Sequence, residues 1–323
     1  MSPLVSIVVP CRNGGHTLPR LFDSILRQSL KEVEVIVVDD ASDVGYAEVI
    51  EAYRAKGLPL IFAPSPTRLY TKNARMAGVR KANADIIAFA DADDMLWGTT
   101  ALEENVGLFR RHAADVVQFR SVYTDAEGNF TGFRSWGDPL APQLSGREVF
   151  SSYARHGARG HTLWDKLYSK ALWLDIIDTA EASRVLRYPE DAYLDSLYRF
   201  HARSYIGSEE IGYGYYMVEK RARDSAEASV CYHILLQELL PYFVEHGCSP
   251  EDLALFTESM EGFLQLHAGR LSMVCCQNDE IDLAPCAEAI ALFGKKELIK
   301  ALLTGARLNA ERVRACVHAL VGR

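Results

Sequence analysis

The sequence predicts an α/β fold: a mostly parallel sheet flanked by helices, Rossmann-like in the broad sense, followed by a helical C-terminal module. Three observations predict it. Short β-branched apolar runs alternate with amphipathic helical spacing from Val5 to Ala90, the order of a parallel sheet wound by right-handed crossovers. The fourth run, Ile86-Ile87-Ala88-Phe89-Ala90, ends abruptly in Asp91-Ala92-Asp93-Asp94, and open α/β sheets bind ligands at such strand ends. Beyond about Ser225 the strand pattern gives way to nearly continuous helical spacing.

Val5 to Val9 make the first strand, with Ser6 inside it, and the loop Pro10-Cys11-Arg12-Asn13-Gly14-Gly15 follows. Leu18, Leu21, Phe22, Ile25 and Leu26 mark one face of a helix. Val33 to Val38 form a second strand that stops at Asp39-Asp40-Ala41-Ser42, and Tyr46, Val49, Ile50 and Tyr53 mark a second helix. Leu58 to Ala63 read as a third strand, broken by Pro64 and Pro66, before a helix over 71–82 and the strand Ile86 to Ala90. A helix lies within Leu96 to Arg111, a strand over Val116 to Phe119, and a hairpin turn at Asp125-Ala126-Glu127-Gly128-Asn129. His161 to Tyr168 and Arg187 to Leu197 are mixed. In the tail, Ser249-Pro250-Glu251-Asp252 offers a hydroxyl N-cap, Pro at the first helical position and acids in the first turn. Phe256, Met260, Phe263, His267, Leu271 and Val274 then keep helical spacing, with His267 expected as a satisfied core histidine. Asn309 and Glu311 open a last helix with Val313, Cys316, Val317 and Leu320 inward. The expected domains are 1–225 and 226–323.

The 323 residues suffice for one large or two ordinary domains, and the apolar fraction of 49% is that of a soluble globular protein. A net charge of −8 argues against nucleic-acid binding, which depends on neutralising backbone phosphates. It leaves room for a small nucleotide whose charge a metal offsets. No apolar run approaches the ~20 residues of a membrane span, and the N-terminus reads as a strand rather than a signal peptide. Seven scattered cysteines without CxxC or Cys/His metal spacing suggest reduced thiols in a cytosolic protein, and His156, His161 and His201 show no ligand spacing. Neither GxGxxG nor GxxxxGK[ST] follows the first strand.

Crowded carboxylates repel one another unless protons or a cation intervene, and oxygen-only ligands suit a hard ion such as Mg²⁺ or Mn²⁺. Asp91, Asp93 and Asp94 fit that chemistry. An acidic helix start is the plainer alternative for them.

Several separated pieces together resemble glycosyltransferase family 2, inverting sugar transferases of GT-A fold. They are Val5-Ser6-Ile7-Val8-Val9-Pro10 with Asn13; Val37-Val38-Asp39-Asp40-Ala41-Ser42; Ala74-Arg75 with Gly78; and Phe89-Ala90-Asp91-Ala92-Asp93-Asp94. Trp164-Asp165-Lys166-Leu167-Tyr168 and Pro189-Glu190-Asp191 complete the set. The likeness covers roughly residues 4–225. It implies that Pro10 and Asn13 border a nucleotide's base and ribose, and that Asp39 or Asp40 accepts from the imide N–H of uracil. It makes Asp91-Ala92-Asp93 a DXD motif. Asp93 would ligate Mn²⁺ or Mg²⁺ bridging the donor's phosphates, and Asp91 would hold the ribose or assist at the metal. Arg75 would pair with a phosphate or lie on a solvated helix face. Trp164 would stack on a sugar or sit in the core, and Lys166 would meet the diphosphate or a carboxylate. Asp191 would be the base that deprotonates the acceptor, with Glu190 positioning it. Arg221, Arg223 and Ser225 resemble a mobile loop that closes over the diphosphate.

The expected partners are a nucleotide-sugar, first of all a uridine diphosphate sugar, and a hydroxyl on a glycan, lipid-linked or protein acceptor. The expected location is cytoplasmic, peripheral at the inner membrane face for a lipid-linked acceptor. The tail leaves dimerisation, membrane docking and acceptor binding open. Two rival expectations are a haloacid-dehalogenase-type phosphatase with Asp91 as nucleophile, and a non-catalytic platform that keeps the fold.

Overall fold

In this computed structural model the described residues are 2–185, 188–216, 222–277, 280–281, 286, 289, 295–304 and 317. The chain divides into two compact units, Met1–Arg187 with Leu194–Met217, and Tyr188–Tyr193 with Val218–Arg323.

The first unit opens with β1 (Val5–Cys11), α1 (Leu18–Leu26), β2 (Val33–Asp39), α2 (Ala47–Ala55), β3 (Leu60–Pro64), α3 (Tyr70–Lys81) and β4 (Ile86–Phe89). These strands stand side by side in the order β3-β2-β1-β4, all parallel. β1 and β2 are almost wholly buried, which is why they read as continuous apolar runs rather than alternating ones. Ser6 is tolerated there because its hydroxyl donates to the buried Glu34 and accepts from the Ala84 amide at 3.0 Å. Glu34 also takes the amide and side chain of Asn83. Gly78 lets α3 lie on β1, since a Cβ there would come within 2.3 Å of Val8.

Next come β5 (Met95–Leu96), α4 (Ala101–His112), β6 (Val116–Thr124), β7 (Phe130–Arg134), β8 (Gln143–Ser145), α5 (Glu148–Arg155), β9 (Lys166–Ser169), α6 (Lys170–Ala182), α7 (Glu190–His201) and β10 (Ser204–Tyr216). The sheet continues β4-β9-β6-β10-β5. Here the directions mix: β9 runs antiparallel to β4 and β6, while β10 runs parallel to β6 and antiparallel to β5. The expected hairpin exists, as β6 and β7 pair across the Asp125 to Asn129 turn. Register carries the function: Val5 pairs with both Val33 and Ile86, and Cys11, Asp39 and Pro64 pair in one row. The carboxyl ends of β1, β2 and β3 are therefore level, and the Ala90 amide reaches the Val8 carbonyl at 3.1 Å, setting Asp91 at the same edge.

The mixed half encloses a polar core. The fully buried Arg199 donates to Asp195 at 2.8 Å and Gln118 at 2.9 Å, and the Tyr205 hydroxyl donates to Gln118 at 3.1 Å. Such groups are tolerated inside because they are paired.

In the second unit α8 (Ala222–Glu245) and α9 (Pro250–Cys275) pack on each other and on α10 (Lys295–Thr304). The α9 start is as expected, with the Asp252 amide donating to the Ser249 hydroxyl at 3.1 Å. Phe256, Met260, Leu264 and Leu271 are buried, and His267 is buried with its ring stacked on Tyr232 at 5.6 Å. The helix expected from Asn309 lies outside the described residues, Val317 apart. Among the described residues no helix is long and apolar enough to cross a membrane.

His161 gives the first unit a pH dependence. It is buried, Nδ1 donates to the Ala158 carbonyl at 3.2 Å, and burial above all lowers its pKa from 6.5 to about 4. Below pH 6.5 the unfolded chain binds a proton that the folded chain refuses. Stability should therefore fall as pH drops from 6.5 toward 4, by about 3 kcal/mol for this group alone. Urea unfolding across that range checks it, and His161→Gln should flatten the slope.

Candidate active site

Three loops meet at the carboxyl edge. After β1, Asn13 takes a left-handed φ of 56° and locks the first loop to the second. Its amide donates to the Ser42 hydroxyl at 2.8 Å, its side chain donates to Asp43 at 2.9 Å, and its Oδ1 accepts from the Asp43 amide at 2.9 Å. Arg12 adds an ion pair to Asp43 at 2.9 Å. A Cβ on Gly15 would strike Tyr46 at 2.4 Å, so the loop presses closer than a side chain allows. Pro10 lies in β1 opposite Val38, half-buried. The polar groups of the Asn13 side chain thus have protein partners, and its visible work is to hold Ser42 and Asp43.

The two carboxylates after β2 differ. Asp40 is buried and accepts from the Leu69 amide, from the Tyr70 amide at 3.1 Å and from Arg68 Nε at 3.1 Å. It caps α3, whose first turn has no acid of its own. It also fixes Tyr70 at a φ of 62°, a conformation a non-glycine residue seldom takes. Asp39 spends only Oδ1, on the Ser42 amide at 3.1 Å and hydroxyl at 2.5 Å. Its other oxygen has no hydrogen-bond partner among the described residues.

The three acids after β4 also diverge. Asp94 is buried: Oδ2 accepts from the Tyr213 hydroxyl at 2.8 Å and Oδ1 from the Tyr216 amide at 2.8 Å. Burial, then the charges of Asp91 and Asp93, push its carboxyl well above the usual range. Asp91 is half-buried, and its Oδ1 accepts from Arg75 at 2.8 Å. Arg75 itself is 2% exposed, so it does not lie on a solvated helix face, and it meets the Asp91 carboxylate. Ala92 faces the first loop, 3.5 Å from where a Cβ on Gly14 would stand. Asp93 is half-buried and has no side-chain hydrogen bond or ion pair among the described residues. Burial, then the Asp91 charge, raise its carboxyl pKa, and Arg20 and His16 offset part of this. Among the described residues no three His, Cys, Asp or Glu side chains are gathered to hold a metal. Two carboxylates, one oxygen of Asp91 and the whole of Asp93, do suit Mg²⁺ or Mn²⁺, which complete their shells with water and phosphate oxygens.

Other expected residues lie elsewhere. Trp164 is buried, with Tyr213 and Tyr215 stacked on it at 4.4 Å and 5.3 Å and the Arg134 guanidinium 4.6 Å from its ring centre. Its environment is the core alternative rather than an open sugar platform. Lys166 is fully buried, and its three donors go to Asp165 at 2.6 Å, the Gly160 carbonyl at 2.8 Å and the Thr162 carbonyl. An ammonium has three donors, so none remains for a diphosphate; the carboxylate alternative is the one present. Glu190 and Asp191 occupy the first turn of α7, Glu190 buried and Asp191 half-buried, in the segment that belongs to the second unit. Arg221 and the side chains of Arg223 and Ser225 lie outside the described residues.

Tyr213 and Arg20 are the residues that sequence reading passed over. Arg20 bridges from α1 to the β6–β7 turn, donating to the Ala126 carbonyl at 2.9 Å, and lies 4.8 Å from the Tyr216 ring centre. The period-two run Gly212-Tyr213-Gly214-Tyr215 was a legible signal, because it puts both tyrosines on one face of a strand.

A sequence description of glycosyl transferase family 2 matches residues 6–166, which contain all three loops. Amylovoran biosynthesis glycosyltransferase AmsB of Erwinia amylovora is 35% identical over 108 residues, 33% of this chain and 36% of that protein. Glycosyltransferase GlyG of Streptococcus pneumoniae serotype 4 is 26% identical over 155 residues, 48% of this chain and 51% of that protein. The chain thus spans about half or less of these curated relatives. Among solved structures, S. aureus TarS 1-349 in complex with UDP has a TM-score of 0.53 at 20% identity, covering 92% of this chain and 90% of that one. Mannosyltransferase PcManGT from Pyrobaculum calidifontis, in complex with GDP-Man and Mn²⁺, has a TM-score of 0.57 at 16% identity, covering 99% and 86%. At these identities the structures show a shared fold, the GT-A sheet of glycosyltransferases. With the motif order, the matched segment and the sheet in agreement, the chain belongs to glycosyl transferase family 2.

Proposed function

We propose that the protein is a metal-dependent inverting glycosyltransferase that moves a sugar from a nucleoside diphosphate to a hydroxyl. The transferase domain of this reading is 1–225, with 226–323 as its helical module. One observation supports it above the others: among the described residues Asp93 has no side-chain partner at the sheet's carboxyl edge, beside an Asp91 with one oxygen in reserve. A divalent ion held by Asp91 and Asp93 would neutralise charge on the departing diphosphate. Arg75 orients Asp91 for that task. Ion-paired in this way, Asp91 is poorly suited to be a phosphatase nucleophile.

The partner-free oxygen favours Asp39 over Asp40 as the acceptor of a base N–H. Uracil offers an imide N–H and guanine offers comparable donors. Uridine is the first choice, and guanosine is kept in the test because the similar structures carry UDP and GDP-Man. Asp191 takes the proton from the acceptor hydroxyl as it attacks opposite the leaving group. Its seat in the first turn of α7 supports an ionised carboxylate, because a helix N-terminus stabilises negative charge. Glu190 beside it would position the acceptor. The part of the Erwinia relative in amylovoran biosynthesis supports a polysaccharide acceptor, with lipid-linked and protein glycans as alternatives.

Calorimetry with UDP and GDP, with and without Mn²⁺, separates the roles. Asp93→Ala should abolish Mn²⁺-dependent nucleotide binding. Asp191→Asn should leave it intact while lowering turnover by ~10²–10⁴-fold, the worth of a general base. Absence of nucleotide binding to the folded wild type would refute the reading.

A second pair compares the acids after β2. Asp39→Ala should weaken binding of the preferred nucleotide with little loss of stability. Asp40→Ala should instead lower the unfolding free energy by about 1–2 kcal/mol for a lost cap and ion pair, as read by urea titration.

A further inference from the structure

Tyr213 sits under the acidic loop with both capacities of its hydroxyl in use. The oxygen accepts from the Asp91 amide at 3.0 Å, and its proton goes to Asp94 Oδ2 at 2.8 Å. The other Asp94 oxygen is held by the Tyr216 amide at 2.8 Å, so two points of β10 grip both ends of Asp91-Ala92-Asp93-Asp94. The ring cannot drift, being fully buried and stacked on Trp164 at 4.4 Å with a 15° interplanar angle. Sheet pairing adds to the grip: Tyr213 lies opposite Leu96, and the Trp97 amide donates to the Gly212 carbonyl at 3.0 Å.

We propose that Tyr213 is a positioning residue of the donor site, acting through Asp94 to hold the Asp91-to-Asp93 turn in the geometry that receives the metal and diphosphate. In this assignment Asp94 is a tether rather than a metal ligand, since both of its oxygens are occupied and it is 1% exposed. The inference rests on the proposed donor site and adds what holds it in shape.

The same strand supplies a matched control. Tyr205 is also buried in β10, and its hydroxyl likewise accepts from a backbone amide, that of Leu140 at 2.9 Å, and donates to a side-chain oxygen, that of Gln118 at 3.1 Å. It makes no contact with the acidic loop in this bonding. Tyr213→Phe and Tyr205→Phe therefore delete equivalent bonds at different places.

The probes are UDP and GDP titrated calorimetrically with and without Mn²⁺, alongside thermal melts. Tyr213→Phe should weaken Mn²⁺-dependent nucleotide affinity about tenfold, the worth of one or two neutral hydrogen bonds, with less effect on metal-free binding. Tyr205→Phe should lower the melting temperature comparably and leave the Mn²⁺-dependent affinity unchanged. Wild-type affinity in Tyr213→Phe, or an equal loss in Tyr205→Phe, would overturn the positioning role. If the wild type binds no nucleotide with Mn²⁺, the donor-site reading fails and this proposal falls with it. Should Tyr213→Phe not fold, Asp94→Asn carries the test: its NH2 must face either the Tyr213 hydroxyl or the Tyr216 amide, both of which donate to Asp94, so one of the two holds is lost. The same Mn²⁺-dependent loss is expected, and an unchanged affinity would refute the role.

Discussion

Three carboxylates within four residues repel one another, and the carboxyl edge of this sheet is built around how each is relieved. Arg75, buried in α3, neutralises Asp91. Tyr213 and the Tyr216 amide hold Asp94, whose burial favours the protonated form. Asp93 receives neither treatment, and burial raises the cost of its charge. Two of the three acids are thus satisfied, and Asp93 is the one left for the cation that we propose. The relief of Asp91 depends on the surrounding architecture: α3 must approach β1 closely to deliver Arg75, and Gly78 permits the approach. β10 must run past the end of β4 to deliver Tyr213, and its pairing with β5 keeps it there.

The first four strands and the helices between them were legible because β1, β2 and β4 are buried on both faces as continuous apolar runs, β3 is a short apolar run stopped by proline, and α1 carries one apolar face. The order and direction of the later strands were not. β9 is only four residues long and lies antiparallel between β4 and β6, a pairing made by contacts far apart in sequence that leave no local period. At the site, residue types were legible and their partners were not. Asp39 and Asp40 are adjacent acids after one strand, and only the fold shows that Asp40 caps α3 while Asp39 keeps an oxygen in reserve. Lys166 carried the same ambiguity, which three buried acceptors resolve.

Apart from the acidic edge, the mixed half of the sheet is held by paired polar groups. Arg199, Asp195 and Gln118 form one buried network, and Lys166 with Asp165 another. Pairing of this kind adds specificity of packing rather than large net stability, and breaking one partner leaves a buried charge. Within the same half Trp164 packs against the β10 tyrosines, and the Lys166 ammonium is spent on Asp165 and the Gly160 and Thr162 carbonyls.

The most direct test of the central claim is crystallographic: crystals soaked with Mn²⁺ and UDP or GDP, with anomalous scattering used to locate the metal. A manganese peak bonded to Asp93 and the partner-free oxygen of Asp91, with the diphosphate on its other side and Asp94 still held by Tyr213, is the predicted result. Nucleotide bound with no metal at Asp93, or a metal that draws Asp94 out of its contact with Tyr213, would contradict the account.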